Sequence, residues 1–467
     1  MEIEVPGGSA SLAESGSERS FSVLQVEELP EEESDNGVEE EEEEESAEHL
    51  LERLMQLPYQ VFILSESGRP IFVNSGNEEQ LCSLFAVIGI FVERIRLWGD
   101  NLITISSSNK YIQFLHKSPL IFCIVSKYAE KLDEQLDVLF EQILSILSKS
   151  QLENVYKKKG DNYDLRKLLR GTDRLIESSV SSWRGSPISF VDSSISVIPM
   201  NPSDREFLAN TMSGCLGAAK LEGALFGIMI AHRQIASYVR FKKYIMHPRD
   251  MNIVINLVSD KSVQLTDAQT WTPICLPKFN DTGFFYAYIA YPWQSQGIPA
   301  CLVLLSVKRD HFDGLNEVKK SIVNKLEGNT KFFQNFSAAV TSPNLFNISQ
   351  IGTMSESLWS FIYLNHSSKQ VCISASKVPL ISREERWISR SDMRIAAATS
   401  SKHAHMRTLF VRGTRHCLFV WVTDMFSLHC TFGPFVTATL AFQIVEKLLK
   451  SLKSHEQRYF IINTTSF

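Results

Sequence analysis

Hydrophobic residues follow two different periods between Tyr59 and Trp98. Two β-prone runs, 59–64 and 70–73, flank a polar turn that contains Gly68, and this pattern predicts a β-hairpin. After Gly76 the apolar residues recur at i, i+3, i+4 and i+7, which predicts a helix with one apolar stripe. We expect the stripe to cover the hairpin's sheet; it comprises Leu81, Leu84, Phe85, Ile88, Phe91, Val92 and Ile95.

The opposite side of this helix carries small and apolar residues where a surface helix normally carries charge. Glu93 and Arg94 stand only towards its C-terminal end. A helix that is apolar on both sides is either buried within its own domain or docked on another protein, and the pattern allows both. The repetition described next favours docking. The expected docking face comprises Ser83, Ala86, Val87 and Ile90, with the polar residues Asn77, Glu78 and Glu79 at the start of the helix.

The order strand, strand, helix, three strands, helix occurs three times along the chain. The first copy continues with strands at 101–106, 111–116 and 120–125 and with helices at 129–147 and 163–180. The second has strands at 224–231, 235–241, 271–276, 284–290 and 300–306 and helices at 247–258 and 312–326. The third has strands at 358–364, 370–375, 408–411, 416–422 and 426–432 and helices within 382–400 and at 435–452. Residues 327–350 are expected to form a polar link.

This pattern predicts an α/β (α+β) fold of three consecutive domains, each with a five-stranded mixed or antiparallel sheet flanked by helices. The expected boundaries are a tail at 1–56 and domains at 57–182, 187–328 and 345–467.

Charge is distributed unevenly between the tail and the body. Residues 1–50 hold eighteen acidic residues and one Arg, a charge of −17; because the whole chain has −6, the remainder carries +11. Such a tail has too few apolar groups to fold alone, so we expect disorder. The run of glutamates at 39–45 is either a solvated segment or an electrostatic lid over a basic surface.

The sequence contains none of the short motifs of nucleotide, metal or covalent chemistry, and it predicts neither a cofactor nor a metal site. His403 and His405 lack a third ligand nearby and are expected to be surface residues. The eight cysteines are widely spaced, as is typical of free, mostly buried thiols in a reducing compartment.

Membrane contact is expected to be peripheral, because no uncharged stretch reaches the length and apolarity of a membrane span. Basic clusters on the +11 body favour attraction to an anionic leaflet over nucleic acid, since acids are interleaved with the bases. The candidate lipid-binding residues are Lys157, Lys158, Lys159, Arg166, Lys167 and Arg170.

Four longer motifs lie at 61–79, at 162–171, at 271–285, which reads Trp271-Thr-Pro-Ile-Cys-Leu-Pro and ends in Gly-Phe-Phe, and at 458–462. Together they resemble the SAND, or Mon-one, family of vacuolar fusion proteins. The resemblance covers roughly residues 57–467, and the tail matches only in being acidic.

The resemblance implies three longin domains in a row and pairing with a second tri-longin protein as an obligate heterodimer. It further implies that the paired first domains form a guanine-nucleotide exchange factor for the late-endosomal, Rab-seven type GTPase. An early-endosomal Rab and membranes containing phosphatidylinositol 3-phosphate would recruit this complex from the cytoplasm to endosomes and the vacuole or lysosome. Early-to-late endosome conversion, vacuole fusion and autophagy would be the processes it serves.

Two alternatives to exchange activity remain open from the sequence. One is a non-catalytic longin adaptor or tethering scaffold, because sheet-and-helix surfaces of this kind serve both roles. The other is a hydrolase of unfamiliar type, which needs a pocket with clustered titratable groups. Trp271 is the candidate contact for the early Rab, with burial in the core as its alternative.

Overall fold

Short runs of β-branched and aromatic residues form eighteen strands in the described part of the chain. The computed structural model describes residues 3–4, 57, 59–76, 81–107, 110–126, 132–159, 166–169, 173–185, 194–242, 244–259, 269–342, 345–352, 356–402 and 407–467. The strands are β1 (Ile3–Glu4), β2 (Tyr59–Ser65), β3 (Pro70–Val73), β4 (Thr104–Ser106), β5 (Tyr111–Lys117), β6 (Leu120–Ser126), β7 (Ile195–Ser196), β8 (Ala224–Ala231), β9 (Gln234–Arg240), β10 (Thr270–Leu276), β11 (Asn280–Ala290), β12 (Cys301–Ser306), β13 (Leu358–Asn365), β14 (Gln370–Ile373), β15 (Thr408–Arg412), β16 (Cys417–Val422), β17 (Phe426–Phe432) and β18 (Thr465–Ser466).

Helices alternate with these strands. They are α1 (Cys82–Leu97), α2 (Leu132–Ile146), α3 (Lys149–Lys159), α4 (Arg166–Leu169), α5 (Asp173–Gly185), α6 (Pro202–Ala219), α7 (Pro248–Val258), α8 (Phe312–Gly328), α9 (Thr330–Thr341), α10 (Arg383–Lys402), α11 (Ala438–Ser454) and α12 (Glu456–Tyr459).

Each sheet is built on the same order of five antiparallel strands. The first runs β3-β2-β6-β5-β4, the second contains β9-β8-β12-β11-β10, and the third contains β14-β13-β17-β16-β15. In each case the first strand of the unit lies second in the sheet and pairs with the unit's last strand. The repeat predicted from hydrophobic pattern is therefore present as a repeat of topology.

Short strands from elsewhere in the chain extend the second and third sheets. β18 pairs in parallel with β9, β7 pairs in parallel with β14, and β1 pairs antiparallel with β15. The five strands predicted for each domain are present, and these additions bring the sheets to six and seven strands. Apart from residues 3–4, the predicted disordered tail lies outside the described residues, and so do His403 and His405.

Both faces of the first sheet are covered by helices. Phe62, Phe114 and Cys123 on one face pack against Phe85 and Val92 of α1 and against Leu81, which precedes it. On the other face, Val61, Phe122 and Ile124 pack against α2 and α5. The alternation of apolar side chains along β2 and β6 thus supplies two core layers rather than one.

Four helices were not predicted from the sequence, namely α3, α6, α9 and the single turn α12. α6 opens with Pro202 at its first turn and buries Leu208, Met212 and Leu216 against the second sheet. α9 lies within the stretch that we expected to be a polar link, and it buries Phe332 and Phe336 in the same core. The helix predicted at 163–180 is described as α4 and α5, and residues 170–172 between them lie outside the described part.

A buried polar cluster joins the first domain to the second. Glu141 of α2 accepts from Arg249 Nη1 and Lys278 Nζ, both at 2.9 Å. Asn256 of α7 donates to Gln142 Oε1 and to Leu175 O, each at 3.0 Å. Because Glu141, Gln142 and Asn256 are buried and paired with groups of the other domain, they fix the orientation of the two domains, with Lys278 reaching Glu141 from the surface.

The C-terminal segment joins the third domain back to the second. Arg205 of α6 is buried, and its guanidinium donates to the carbonyl oxygens of Ile198, Gln457, Arg458 and Phe460 at 2.6 to 3.0 Å. Burial lowers the pKa of Arg205 to about 10, so the guanidinium stays charged at neutral pH. The residues that follow then reach the second sheet as β18.

Asp250, at the edge of the cluster between the first two domains, predicts a pH-dependent stability. The carboxylate is fully buried, accepts from Lys278 N at 3.1 Å, and lies near Glu141. Burial, with the charge of Glu141 adding, raises the pKa of Asp250 to about 6. A raised acid pKa means that the folded state holds the proton more tightly, so this contribution to stability is lost as pH rises from about 4 to about 6.

Asp250→Asn is therefore expected to be more stable than the wild type at pH 7.5, by up to roughly 3 kcal/mol, and at pH 4.5 by about 1 kcal/mol. The amide oxygen can keep the bond from Lys278 N, so the change removes the charge and puts an NH₂ group in place of the second carboxylate oxygen. Urea unfolding at the two pH values measures the difference. Asp281→Asn, on an exposed neighbouring carboxylate, is the control. A difference that is the same at both pH values would contradict the prediction.

Candidate functional site

The outer side of α1 is an apolar face with no covering element in the described part of the chain. Ser83, Ala86, Val87 and Ile90 are all exposed there, and Ile90 is 68% exposed. The inner side of the same helix buries Phe85 and Val92. The periodicity thus separates a core-facing side from an outward-facing side. The polar residues Asn77, Glu78 and Glu79, predicted at the helix start, lie outside the described residues.

Phe91 corrects the predicted stripe. It was assigned to the sheet-facing side, but it is 55% exposed and lies on the outer face beside Val87 and Ile90. Phe91 precedes Val92, which is buried, so the two side chains are about 100° apart around the helix axis. The apolar outer face is therefore larger than the sequence predicted.

The apolar surface continues past the end of α1 towards an edge of the sheet. Leu97, Trp98 and Ile103 are exposed, and Arg94 lies over the Trp98 ring at 5.7 Å from its centroid. β4, the strand that follows, is the last in its sheet and is exposed throughout. We call this combined region, Ser83 to Ile105 on the outer side of α1 and along β4, the α1 face. An exposed apolar patch of this kind marks an interaction site more often than a random surface.

Trp271 lies on β10, an edge strand of the second sheet. Its ring is half-buried, stacks on Tyr286 at 5.6 Å between centroids, and meets Phe312 edge-on at 5.9 Å. One side of the indole thus belongs to the core, and the rest is accessible. The packing agrees in part with burial in the core, and contact with an early Rab stays a prediction.

The candidate lipid-binding residues lie on two helices, α3 and α4. Lys157 and Lys158 are exposed, and Lys157 pairs with Glu153 at 3.7 Å. Arg166 and Lys167 are exposed and line a shallow groove together with Asp173 and Glu177. The side chain of Lys159, and Arg170, lie outside the described residues. The structure does not bring the two groups into one described site.

One buried serine–histidine pair bears on the hydrolase hypothesis. Ser306 Oγ lies 2.8 Å from His311 Nδ1, but the serine also contacts Gly223 O and accepts from Lys308 N. Ser306 is fully buried, so a substrate cannot reach it. The pair stabilises the turn after β12, and this geometry does not support hydrolysis.

Other chemistry is equally sparse in the described ranges. All eight cysteines fall within them and form no disulfide bond there; seven are buried, as predicted, and Cys82 is exposed. Over those ranges no group of three His, Cys, Asp or Glu side chains is arranged to hold a metal ion. Of the described helices, none combines the length and the apolarity that crossing a bilayer requires.

Comparison with known proteins places the three sheets in one family. Models described as the first, second and third longin domains of FUZ, MON1 and HPS1 match residues 59–178, 222–324 and 357–456. Each match begins at or just before the first strand of a unit, which agrees with the repeated topology.

Full-length relatives agree with the domain matches. Vacuolar fusion protein MON1 homolog A of Gallus gallus is 30% identical over 87% of this chain and 72% of its own length. Protein SAND of Takifugu rubripes is 30% identical over 87% of this chain and 76% of its own length. Vacuolar fusion protein MON1 of Yarrowia lipolytica is 28% identical over 89% and 76%. The resemblance inferred from the sequence motifs is confirmed, and the chain belongs to the MON1/SAND family of vacuolar fusion proteins, with three longin domains.

Proposed function

We propose that this protein acts in vacuolar fusion and endosomal traffic as one subunit of a guanine-nucleotide exchange factor for a late-endosomal, Rab-seven type GTPase. The observation that carries the proposal is the α1 face, an apolar surface on the first domain where Val87, Ile90 and Phe91 are exposed together. The names of the relatives support the coarser role in vacuolar fusion.

Exchange requires binding surface rather than a reacting group. The factor accelerates release by binding the nucleotide-free GTPase more tightly than the loaded one. Shifting that equilibrium from 1:99 to 99:1 needs about 5.5 kcal/mol of differential binding. A few apolar side chains supply energy of this size if they are buried against the nucleotide-free form and not against the loaded one, because each contributes about 1.5 to 3 kcal/mol. The three exposed side chains Val87, Ile90 and Phe91 are enough to supply this differential binding energy on that condition.

The α1 face is expected to serve two proteins. A second tri-longin protein would pair with the first domain as an obligate heterodimer partner, and the GTPase would bind the composite surface. Asn77, Glu78 and Glu79 would border this contact, with Ser83 and Ala86 allowing close approach. An early-endosomal Rab, with Trp271 as its candidate contact, and membranes containing phosphatidylinositol 3-phosphate would recruit the complex. Lys157 to Lys159, Arg166, Lys167 and Arg170 are the candidates for the membrane contact.

A nucleotide-release assay tests this proposal. The GTPase is loaded with fluorescent GDP, and release is followed with the chain alone, the partner alone and the two together. We expect acceleration with the pair on the Rab-seven type GTPase and none on an unrelated Rab. Release at the intrinsic rate, with the partner shown to be bound, would overturn exchange activity and leave the adaptor function.

A further inference from the structure

A cleft of about 810 Å³ lies where the three domains meet. The first domain contributes residues of α2, the second contributes the β8–β9 turn and α7, and the third contributes β13 and α10. Clefts between domains with volumes of roughly 300–1,000 Å³ are the usual sites of small-molecule ligands.

Basic side chains dominate the charge of the described lining. Arg233 and Arg249 come from the second domain and Arg386 and Arg390 from the third, against Glu134 and Glu141 from the first. Glu141 is already paired with Arg249 and with Lys278, which lies outside the lining. Arg233 Nη1 lies 3.5 Å from Asn256 Oδ1, and Arg386 Nε donates to Ser382 O at 3.2 Å. Both residues are exposed at the cleft, and within the described residues neither pairs with a carboxylate, so an anionic ligand could bind their remaining N–H groups.

The turn that carries Arg233 is unusual in its backbone. His232 and Arg233 join β8 to β9 with φ of 49° and 60°, and both line the cleft. Two-residue turns with positive φ at both positions are normally Asn-Gly or Asp-Gly, because other side chains are strained there. Strain of this kind concentrates at functional sites. The turn therefore gives up local stability to hold a histidine and an arginine in the cleft.

The remaining lining combines apolar surface with one unsatisfied hydroxyl. Val138, Leu345 and Ile381 lie in it, and the last two are exposed apolar side chains. Ser194 is buried in the lining, and its Oγ has no hydrogen-bond partner among the described residues. Apolar walls with a few polar groups fix the orientation of a ligand that has an apolar part.

We propose that this cleft binds a small organic phosphate, with the phosphate on Arg233 and Arg386 and the apolar part against Val138, Leu345 and Ile381. Guanidinium groups suit phosphate because their planar fork forms paired hydrogen bonds. The site shares no residue with the α1 face, so it is independent of exchange activity. A ligand there contacts all three domains and stabilises their arrangement.

Isothermal titration calorimetry of the full chain with three probes tests the proposal. ATP represents a soluble organic phosphate, dihexanoyl phosphatidic acid represents a lipid one, and inorganic triphosphate lacks the apolar part. We expect one of the first two to bind with one site per chain, which identifies the source, and triphosphate to bind at least tenfold more weakly. Triphosphate binding as tightly as the organic probes, or no binding of either organic probe at 1 mM, would overturn the proposal.

Variants locate the binding site. Arg233→Gln and Arg386→Gln lie on different domains, and each is expected to weaken binding of the bound probe at least tenfold. Arg309→Gln, an exposed arginine outside the cleft lining, is the matched control and should bind as the wild type does. Circular dichroism checks that each variant is folded. Unchanged affinity in both folded cleft variants would place the ligand elsewhere and refute the assignment.

Discussion

Ile90→Asp is expected to abolish the acceleration of nucleotide release while leaving the chain folded. Ile90 is 68% exposed on the α1 face, so the substitution removes little core packing. Surface substitutions of this kind usually change stability by about 0.5 kcal/mol or less. In a complex, however, the new carboxylate would be buried without a partner, which is strongly unfavourable. Each 1.4 kcal/mol of lost binding free energy lowers the affinity tenfold. The variant is therefore expected to show no measurable acceleration of nucleotide release.

Two measurements separate this effect from misfolding. Binding of the tri-longin partner and of the nucleotide-free GTPase is measured by calorimetry, and thermal unfolding is measured on the same sample. Ile245→Asp, at a residue 70% exposed on the second domain, is the matched control and should retain both activities. If Ile90→Asp binds and exchanges normally, the α1 face is not the docking site.

Arg205→Ala is expected to lower the free energy of unfolding by about 3–5 kcal/mol, the largest stability effect we predict. The guanidinium satisfies four backbone carbonyl oxygens from two domains, and alanine would leave them buried without donors. The C-terminal segment and α12 should loosen first, because three of the four oxygens belong to residues 457–460.

Urea unfolding gives the free energy, and amide hydrogen exchange over 456–467 gives its location. Arg205→Lys retains the positive charge but lacks the several N–H donors of the planar guanidinium. It should therefore recover only part of the lost free energy of unfolding. Arg309→Ala, on an exposed arginine of the same domain, should be neutral. If Arg205→Ala raised amide hydrogen exchange equally across the whole chain, Arg205 would not act at the junction between the second and third domains.

The repeated strands were predictable because long apolar runs such as 224–231 and 301–306 carry their own signal. α9 was missed although Phe332, Phe336 and Val340 follow helical spacing and Asn329 caps its start. Because many residues around this apolar stripe are polar, the segment was interpreted as a link and not as a helix. Asn201 followed by Pro202 was likewise a start signal for α6.

Other features had no local signal to find. β7 and β18 are two residues long, and two residues show no period. Arg205 looks like any surface arginine until distant carbonyl groups surround it. The three-domain cleft depends on how the units pack against each other. Contacts between residues far apart in sequence decide that packing. On the α1 face, the helical phase placed Ser83, Ala86, Val87 and Ile90 outward, but it cannot show what binds them.

Because α1, α7 and α10 follow the second strand of their units, they are equivalent positions with different surroundings. The first domain contacts α7, the cleft runs along α10, and among the described residues no other domain covers the outer side of α1. Tandem duplication of one module thus gives three different uses of one helix: the second copy places it at a domain junction, the third lines a cleft with it, and the first leaves its outer side exposed. Substitutions on the outer side of α1 can therefore change what the first domain binds without weakening the contacts between the domains.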